Sequence, residues 1–249
     1  MIIHSFDPNS EPLMGPESFY GPQGKLCEVC ILTFSHVILE AFRQSFPHRV
    51  GAVMGGCDGE KPVYLFEHEG RTLGLCMSGV GSTLAGTNTI EINWLTGATK
   101  FIMFGSAGSL RREATEGKYV IPVEAYRDEG MSYHYAPPAD YIKVRNAEKL
   151  AAFFEALRLP YVMGRVWSTD AFYRETREQV AARKREGCIA VEMELAGVQA
   201  VCDFHGFELY DFLVTGDVLD APTYQIAGLH AANHDLDKLR IALELAKRI

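Results

Sequence analysis

Short apolar runs alternate with longer amphipathic runs along most of this chain. Runs typical of strands lie near residues 26–33, 62–67, 72–78, 99–108, 118–126, 162–168 and 208–215. Runs with helical spacing lie near residues 36–46, 84–97, 146–158, 176–186, 192–205 and 231–248. This interleaving predicts a layered α/β domain with a largely parallel or mixed central sheet, because each helix must bury its apolar face against the strands.

The first 24 residues differ from the rest of the chain. They are rich in proline, glycine and polar residues, which predicts an irregular arm over residues 1–24 and a folded domain over residues 25–249. A chain of 249 residues with 47% hydrophobic composition can bury the core of one large domain. We therefore expect a single domain that carries an N-terminal arm.

Charge and composition narrow the range of partners. The formal net charge of -8 disfavours a broad surface for nucleic acid, and no apolar run is long enough to predict a membrane span. Six cysteines lie mostly inside apolar runs without a leader-like segment, so we expect a cytoplasmic protein. The eight histidines show no metal-ligand spacing, so we expect neither a metal nor an organic cofactor.

Several polar stretches lie at the ends of apolar strands, where α/β folds build their sites. "FIMFGSAGSL" (101–110) predicts a buried strand that runs into a tight loop of small residues containing Ser106. "SGVGS" (78–82) is a short glycine loop before a helix, and its Gly81 amide is a weak candidate for binding an oxyanion. Ligands are expected at this edge of the sheet.

Three carboxylates in such places allow two interpretations each. Glu192 and Glu194 begin a helix in "AVEMELAG", where they complement the helix dipole or accept hydrogen bonds from vicinal sugar hydroxyls. Asp217 follows an apolar strand in "LVTGDVL", where it forms a turn or acts as a general acid with a raised pKa.

In this order, the stretches resemble the nucleoside phosphorylase superfamily, which includes purine nucleoside phosphorylase, uridine phosphorylase and methylthioadenosine nucleosidase. "VEMELAG" (191–197) matches the ribose-binding signature, while "GSAGSL" and "STDAFY" (168–173) support it by order and spacing. The resemblance covers the chain from about residue 26. It implies a three-layer α/β/α sandwich around a mixed sheet, assembled as a homodimer or a dimer-based hexamer.

The resemblance also implies a sugar site. Glu194 would hold the ribose hydroxyls, Met193 would lie against the ribose face, and Glu192 would support them. Ser106 would lie where ribose and phosphate meet. His4, in the arm, is similar to a histidine that the family donates across a dimer interface, although a solvated terminal histidine is an equal alternative.

The base site follows from the same resemblance. Trp167 would stack on the base or serve as a structural tryptophan, and Asp217 would protonate or hydrogen-bond N7 of a purine. Thr176 and Glu178 stand where uridine phosphorylases read uracil, so a purine nucleoside is favoured. The implied function is phosphorolysis to base and ribose 1-phosphate in purine salvage, with inorganic phosphate as co-substrate.

The nucleophile is the open question in this chain. The three arginines with which phosphorylases bind phosphate are missing, and Met103 occupies one of their positions. Nucleosidases also lack these arginines, but the glutamate with which they activate water is not evident, and His36 is the nearest titratable group. A nucleosidase that uses water and an inactive nucleoside-binding protein are therefore the alternatives.

Overall fold

The computed structural model describes residues 1–57, 59–220 and 222–249. Its strands are Val29–Thr33 (β1), His48–Gly56 (β2), Gly59–His68 (β3), Arg71–Met77 (β4), Lys100–Ser109 (β5), Tyr119–Asp128 (β6), Tyr141–Lys143 (β7), Tyr161–Thr169 (β8), Cys188–Glu192 (β9) and Glu208–Val218 (β10). Its α-helices are Glu17–Tyr20 (α1), His36–Ser45 (α2), Ser82–Thr96 (α3), Arg112–Thr115 (α4), Ser132–Tyr135 (α5), Ala147–Ala156 (α6), Arg177–Arg185 (α7), Leu195–His205 (α8), Leu229–Asn233 (α9) and Asp237–Ala246 (α10). Short 3₁₀ turns occur at Ile2–His4 and Phe172–Arg174.

The pattern of apolar runs predicts most of these elements, with two informative differences. Strand β2 was not expected, because three glycines, at 51, 55 and 56, interrupt its hydrophobic pattern. The single C-terminal helix expected over 231–248 is wrong, since it divides into α9 and α10. At the division, the carboxylate of Asp235 accepts the backbone N–H of Asp237 at 2.9 Å, a local turn that separates α9 from α10.

The strands form one mixed sheet in the order β10-β6-β8-β9-β5-β1-β4-β3-β2, and β7 pairs with β6. Strand β5 pairs with β1 and β10 in parallel and with β9 in antiparallel orientation. Because β10 also pairs with β6, the strands β5, β10, β6, β8 and β9 close into a ring. The expected mixed α/β fold is confirmed, but the closed ring was not predicted.

The core surrounds the middle of the sheet. Every residue of β1 is buried, because β1 lies between β4 and β5 and is covered by helices. Helices α3 and α8 pack against each other, while α9 packs on β5 and β10. The strand ends near α9 consequently meet in one place, which is where the polar residues gather. No helix within the described ranges is long and apolar enough to cross a membrane.

One buried carboxyl group opposes this packing. Asp211, on β10, is 1% exposed, and neither of its carboxyl oxygens has a hydrogen-bond partner among the described residues. Burial, followed by the charges of Glu192 and Glu194, raises the pKa of Asp211 well above its usual value. The folded protein therefore binds a proton that the unfolded chain releases above about pH 4, so this group lowers stability as the pH rises.

We expect Asp211→Leu to raise the free energy of unfolding at pH 8 by about 1–3 kcal/mol, the usual cost of an unsatisfied buried polar group. The gain should shrink towards about pH 3, where the carboxyl group is protonated in both states. Denaturant unfolding at both pH values measures it. The exposed Asp140→Leu is the control, and a less stable Asp211→Leu protein would show that the carboxyl group is favourably paired.

Candidate active site

A cavity of about 320 Å³ opens where β1, β5, β9 and β10 end. Most of its wall comes from these strand ends and from the segments that follow them. The remainder comes from the segment between β4 and α3, the turn after β8 and the α9–α10 region. Its lining residues are Thr33, Phe34, Ser35, Val80, Phe104, Gly105, Ser106, Ala107, Gly108, Phe172, Glu175, Val191, Glu192, Met193, Glu194, Asp217, Leu229, Asn233, His234 and Lys238.

The small residues of "GSAGS" form one wall of the cavity. The loop expected there is wrong, because Gly105–Ser109 continue β5 as a strand that pairs with β10 and β9. Glycine is still needed. A Cβ atom on Gly108 would lie only 2.4 Å from Leu219 and 3.2 Å from the carboxylate of Asp217. The small residues thus let β5 lie close to the acidic side chain of the neighbouring strand.

Asp217 reaches the cavity through an irregularity in β10. The register between β10 and β5 shifts between Thr215 and Asp217, so Asp217 lies opposite Gly108. The Asp217 side chain is buried, and burial raises its pKa although a hydrogen bond with Tyr224 lowers it. A carboxyl group whose pKa is raised in this way holds its proton more firmly and can donate it to a bound ligand.

Glu175 and Phe172 line the same cavity, and sequence reasoning missed both. Burial and the nearby charge of Asp217 raise the pKa of Glu175 to about 7. Thr176 and Glu178, which align with the uracil-reading positions of uridine phosphorylases, do not line the cavity, and Thr176 is the N-cap of α7. The neighbouring "STDAFY" signal was close enough that a shift of a few residues would have found Glu175.

Glu192 combines both expected interpretations. It lines the cavity, yet one carboxylate oxygen accepts the backbone N–H groups of Glu194 and Leu195 at 2.7 and 2.8 Å. The other oxygen accepts the hydroxyl of Ser168. These bonds complement the N-terminus of α8 and hold Glu192 in place. Burial nevertheless raises its pKa.

Glu194 presents a carboxyl group to the cavity beside Met193. The backbone N–H of Gly81 donates to Glu194 Oε1 at 2.7 Å, and Gly81 has a φ of 97° that favours glycine. Burial and the charge of Glu192 raise the pKa of Glu194 to about 8. Gly81 itself does not line the cavity, so its amide orients Glu194 rather than facing the ligand space.

The α9–α10 region completes the cavity, and its residues were not predicted. Ser106 donates its hydroxyl proton to the side-chain oxygen of Asn233. Lys238 is 1% exposed, and its ammonium group donates to the carbonyls of Gly105 at 3.3 Å and Ala232 at 2.5 Å. Burial lowers the pKa of Lys238 to about 8. The contacts between β5 and this region join residues more than 120 positions apart, and no local sequence motif predicts them.

Besides Gly81, two expected site residues lie outside this cavity. Trp167 is 1% exposed in a cluster with Leu110, Val180, Cys188 and Val191, and its indole N–H donates to Asp128 at 3.0 Å. That placement fits the structural alternative and not a stacking role. His4 is exposed in the first 3₁₀ turn and does not line the cavity of its own chain. Its role in a neighbouring subunit stays a prediction.

The charges around the cavity are mostly acidic. Among the described residues that line it there is no arginine, and the one lysine is Lys238. His36, Arg43, Arg49 and Lys61, the basic groups that could have replaced the missing arginines, do not line it. Four carboxyl groups do, and burial raises the pKa of each. Such an arrangement favours a ligand that gains positive charge or accepts protons.

Comparisons with known proteins agree with this architecture. The sequence model of a family described as "Phosphorylase superfamily" matches residues 28–249. The structure is similar to that of a 5'-methylthioadenosine/S-adenosyl homocysteine nucleosidase from Campylobacter jejuni, with a TM-score of 0.71 and 16% identity over 90% of this chain and 100% of that one. It is also similar to futalosine hydrolase from Helicobacter pylori strain 26695, with a TM-score of 0.70 and 16% identity over 88% and 98% of the two chains. At this identity the likeness concerns the fold.

Proposed function

Because the chain belongs to the phosphorylase superfamily, whose members cleave nucleosides, we propose that it cleaves the N-glycosidic bond of a purine nucleoside with water as the acceptor. The observation that carries this proposal is the pairing of Asp217 and Glu194 in one cavity. Both are buried carboxyl groups with raised pKa values, and they suit the two charges that develop during glycosidic cleavage.

Asp217 is the proposed general acid. As the glycosidic bond breaks, negative charge develops on the departing base, and a proton from Asp217 to a purine nitrogen neutralises it. Glu175 shares this end of the cavity and raises the proton affinity of the pair. Phe172 offers an aromatic ring beside them, in place of Trp167.

Glu194 and Met193 are the proposed sugar site. The sugar becomes oxocarbenium-like in the transition state, and the ionised form of Glu194 stabilises that positive charge. A carboxyl group with a pKa of about 8 loses its proton readily once a cationic group develops beside it. The Gly81 amide holds the carboxylate in one orientation, which reduces the reorganisation needed during the reaction.

Water is favoured over phosphate because of the cations that the cavity lacks. A phosphate dianion needs charge-assisted hydrogen bonds, each of which contributes roughly 1.5–3 kcal/mol. No arginine among the described residues lines the cavity, and Lys238 donates to backbone carbonyls. The two similar structures named above, a nucleosidase and a hydrolase, agree with this choice.

Phosphorolysis is the second candidate, and Lys238 is the observation that favours it. Its ammonium group lies in the cavity wall near Gly105 and forms no ion pair among the described residues. A phosphate beside it would compensate a buried positive charge. In that case Lys238 would replace the missing arginines.

Product identity decides between these functions. Inosine, adenosine, guanosine, methylthioadenosine and uridine are incubated with the protein, with and without phosphate, and the sugar product is identified by chromatography. We expect a purine nucleoside to be cleaved to free base and free sugar without phosphate, and uridine to be a poor substrate. A sugar 1-phosphate formed only with phosphate would instead identify a phosphorylase, and tight binding without release would identify a binding protein.

A further inference from the structure

A serine and a histidine from distant parts of the chain meet in the cavity wall. Ser35 follows β1, and His234 follows α9 at the break before α10. The Ser35 hydroxyl oxygen lies 2.8 Å from His234 Nδ1, and both side chains line the cavity. Nothing in the sequence pattern assigns a role to His234.

The pair lies towards one end of the cavity, and Asp217 lies towards the other. Asn233, the neighbour of His234, contacts Ser106 on β5, and Lys238 reaches the carbonyl of Gly105. Asp217, on β10, lies opposite Gly108, which belongs to β5 as Gly105 and Ser106 do. Gly105 and Gly108 are separated by roughly 10 Å, since a strand rises about 3.3 Å per residue. The cavity thus places a carboxylic acid and an imidazole at separate positions along one strand.

Ser35 holds the imidazole ring in a defined orientation. Its hydroxyl oxygen also accepts the backbone N–H of Ile38 at 3.2 Å as the N-cap of α2, so the serine is itself fixed by the helix. If His234 Nδ1 carries the proton and donates to Ser35, then Nε2 keeps a free lone pair. This is the arrangement in which a second group fixes the tautomer of a catalytic histidine.

The surroundings keep His234 uncharged. Burial first, and then the charges of His230, His36 and Lys238, lower the pKa of His234 below its usual value. The ring centroids of His36 and His230 lie 5.3 and 4.7 Å from that of His234. These histidines do not form a metal-binding group within residues 1–57, 59–220 and 222–249. His234 is therefore available as a base at neutral pH.

We propose that His234 is the general base that removes a proton from the attacking water, with Ser35 as its positioning residue. This inference rests on the proposed hydrolysis. His234 would take the place of an acidic residue after β1. None of the carboxyl groups lining the cavity, which are Glu175, Glu192, Glu194 and Asp217, comes from that segment. Of these, Glu175 and Asp217 lie at the end of the cavity proposed to bind the nucleobase. Glu192 is held by hydrogen bonds at the start of α8.

In the resulting step, the water oxygen forms a bond to the anomeric carbon and its proton passes to His234 Nε2. The bond between the anomeric carbon and the base nitrogen breaks, and its electron pair stays on the base. Asp217 gives a proton to the base. Proton return from His234 to Asp217 through solvent restores both groups, so the sum is nucleoside plus water giving base plus free sugar.

The test compares His234→Gln with wild type and with His205→Gln, an exposed histidine on α8 outside the cavity. Base release is measured without phosphate between pH 4.5 and 9. We expect His234→Gln to lower kcat by about 10²–10⁴-fold, the usual contribution of a general base, with little change in KM. The acidic limb of the wild-type kcat/KM profile should lose the titration of His234 and become less steep, while the titration of Glu194, with its pKa of about 8, should remain. His205→Gln should retain both.

Two further variants test whether a loss of activity reflects a loss of structure. His234→Ala should keep the wild-type Tm and regain part of its activity when imidazole is added, and Ser35→Ala should lower kcat less than His234→Gln. Wild-type kcat in His234→Gln, or an unchanged acidic limb, would overturn the role of His234 while hydrolysis stands. Wild-type release that needs phosphate, or no release from any nucleoside, would overturn the proposed function and this inference together.

Discussion

Asp217→Asn should lower kcat for base release by about 10²–10⁴-fold, the range that general acid catalysis contributes. Asparagine keeps the shape of the side chain but cannot deliver a proton to the departing base. Because substrate binding depends mainly on the sugar site, KM should change much less than kcat. Single-turnover base release and a thermal melt measure the effect, and the Tm should not fall, because the raised pKa indicates that burial disfavours the charged form.

The pH profile separates a proton donor from a structural residue. Burial raises the pKa of Asp217, and burial with the charge of Asp217 raises that of Glu175 to about 7, so protons on this pair are lost as the pH rises. Wild-type kcat/KM should therefore fall above about pH 7, and this limb should be absent in Asp217→Asn. Glu175→Gln should move the limb to lower pH, because a neighbouring negative charge is removed.

Asp140→Asn, on the surface before β7, is the matched control and should behave as wild type. Two results would contradict the role of Asp217. One is wild-type kcat in Asp217→Asn. The other is a large loss of kcat in which the alkaline limb remains at its wild-type position.

Glu194→Gln should lower kcat/KM by about 10²–10³-fold, comparable to the loss of one electrostatic donor in other active sites. Glutamine fills the same volume and can keep the hydrogen bond from Gly81, but it carries no negative charge to oppose the cationic sugar. Steady-state kinetics with the best nucleoside of the panel measures this loss. If Glu194 binds the ribose hydroxyls, the loss of kcat/KM in Glu194→Gln should be smaller with a 2'-deoxynucleoside than with the ribonucleoside.

Glu148→Gln, an exposed side chain on α6, is the control for Glu194→Gln. Above neutral pH, Glu194→Gln should be slightly more stable to heat than the wild-type protein. The pKa of about 8 in the folded state exceeds that of the unfolded chain, so burying this acid costs stability as the pH rises. Unchanged kcat/KM in Glu194→Gln would remove this residue from the proposed sugar site.

Local patterns predict the residues that depend on one strand or one helix end. "VEMELAG" predicts a strand followed by a helix, and the structure forms β9 and α8 there, with Met193 and Glu194 in the turn between them. The apolar run before Asp217 predicts β10 in the same way. Such features are local, because burial periodicity and helix capping depend on neighbours within a few residues.

Other residues depend on contacts that no local pattern describes. Ser35 and His234 are 199 positions apart, and their hydrogen bond exists because β1, β5 and the end of α9 meet at one edge of the sheet. Trp167 shows the opposite case, since its neighbours along the chain suggest a site while the packing places it in the core. Glu175 is a further example, since no motif singles it out and it lines the cavity because of its place after the 3₁₀ turn Phe172–Arg174.

The sequence by itself thus determined the alternation of strands and helices, the phosphorylase-like identity of the chain and the carboxylates at the ends of β9 and β10. These properties follow from hydrophobic periodicity and from short motifs. Only the tertiary structure decided that β5 closes a ring with β10 and that Lys238 is buried beside Gly105. It also decided that His234 faces the cavity. The physical reason is that these arrangements arise from the burial of distant segments against one another, and the free energy of that packing is not encoded in any single stretch of the chain.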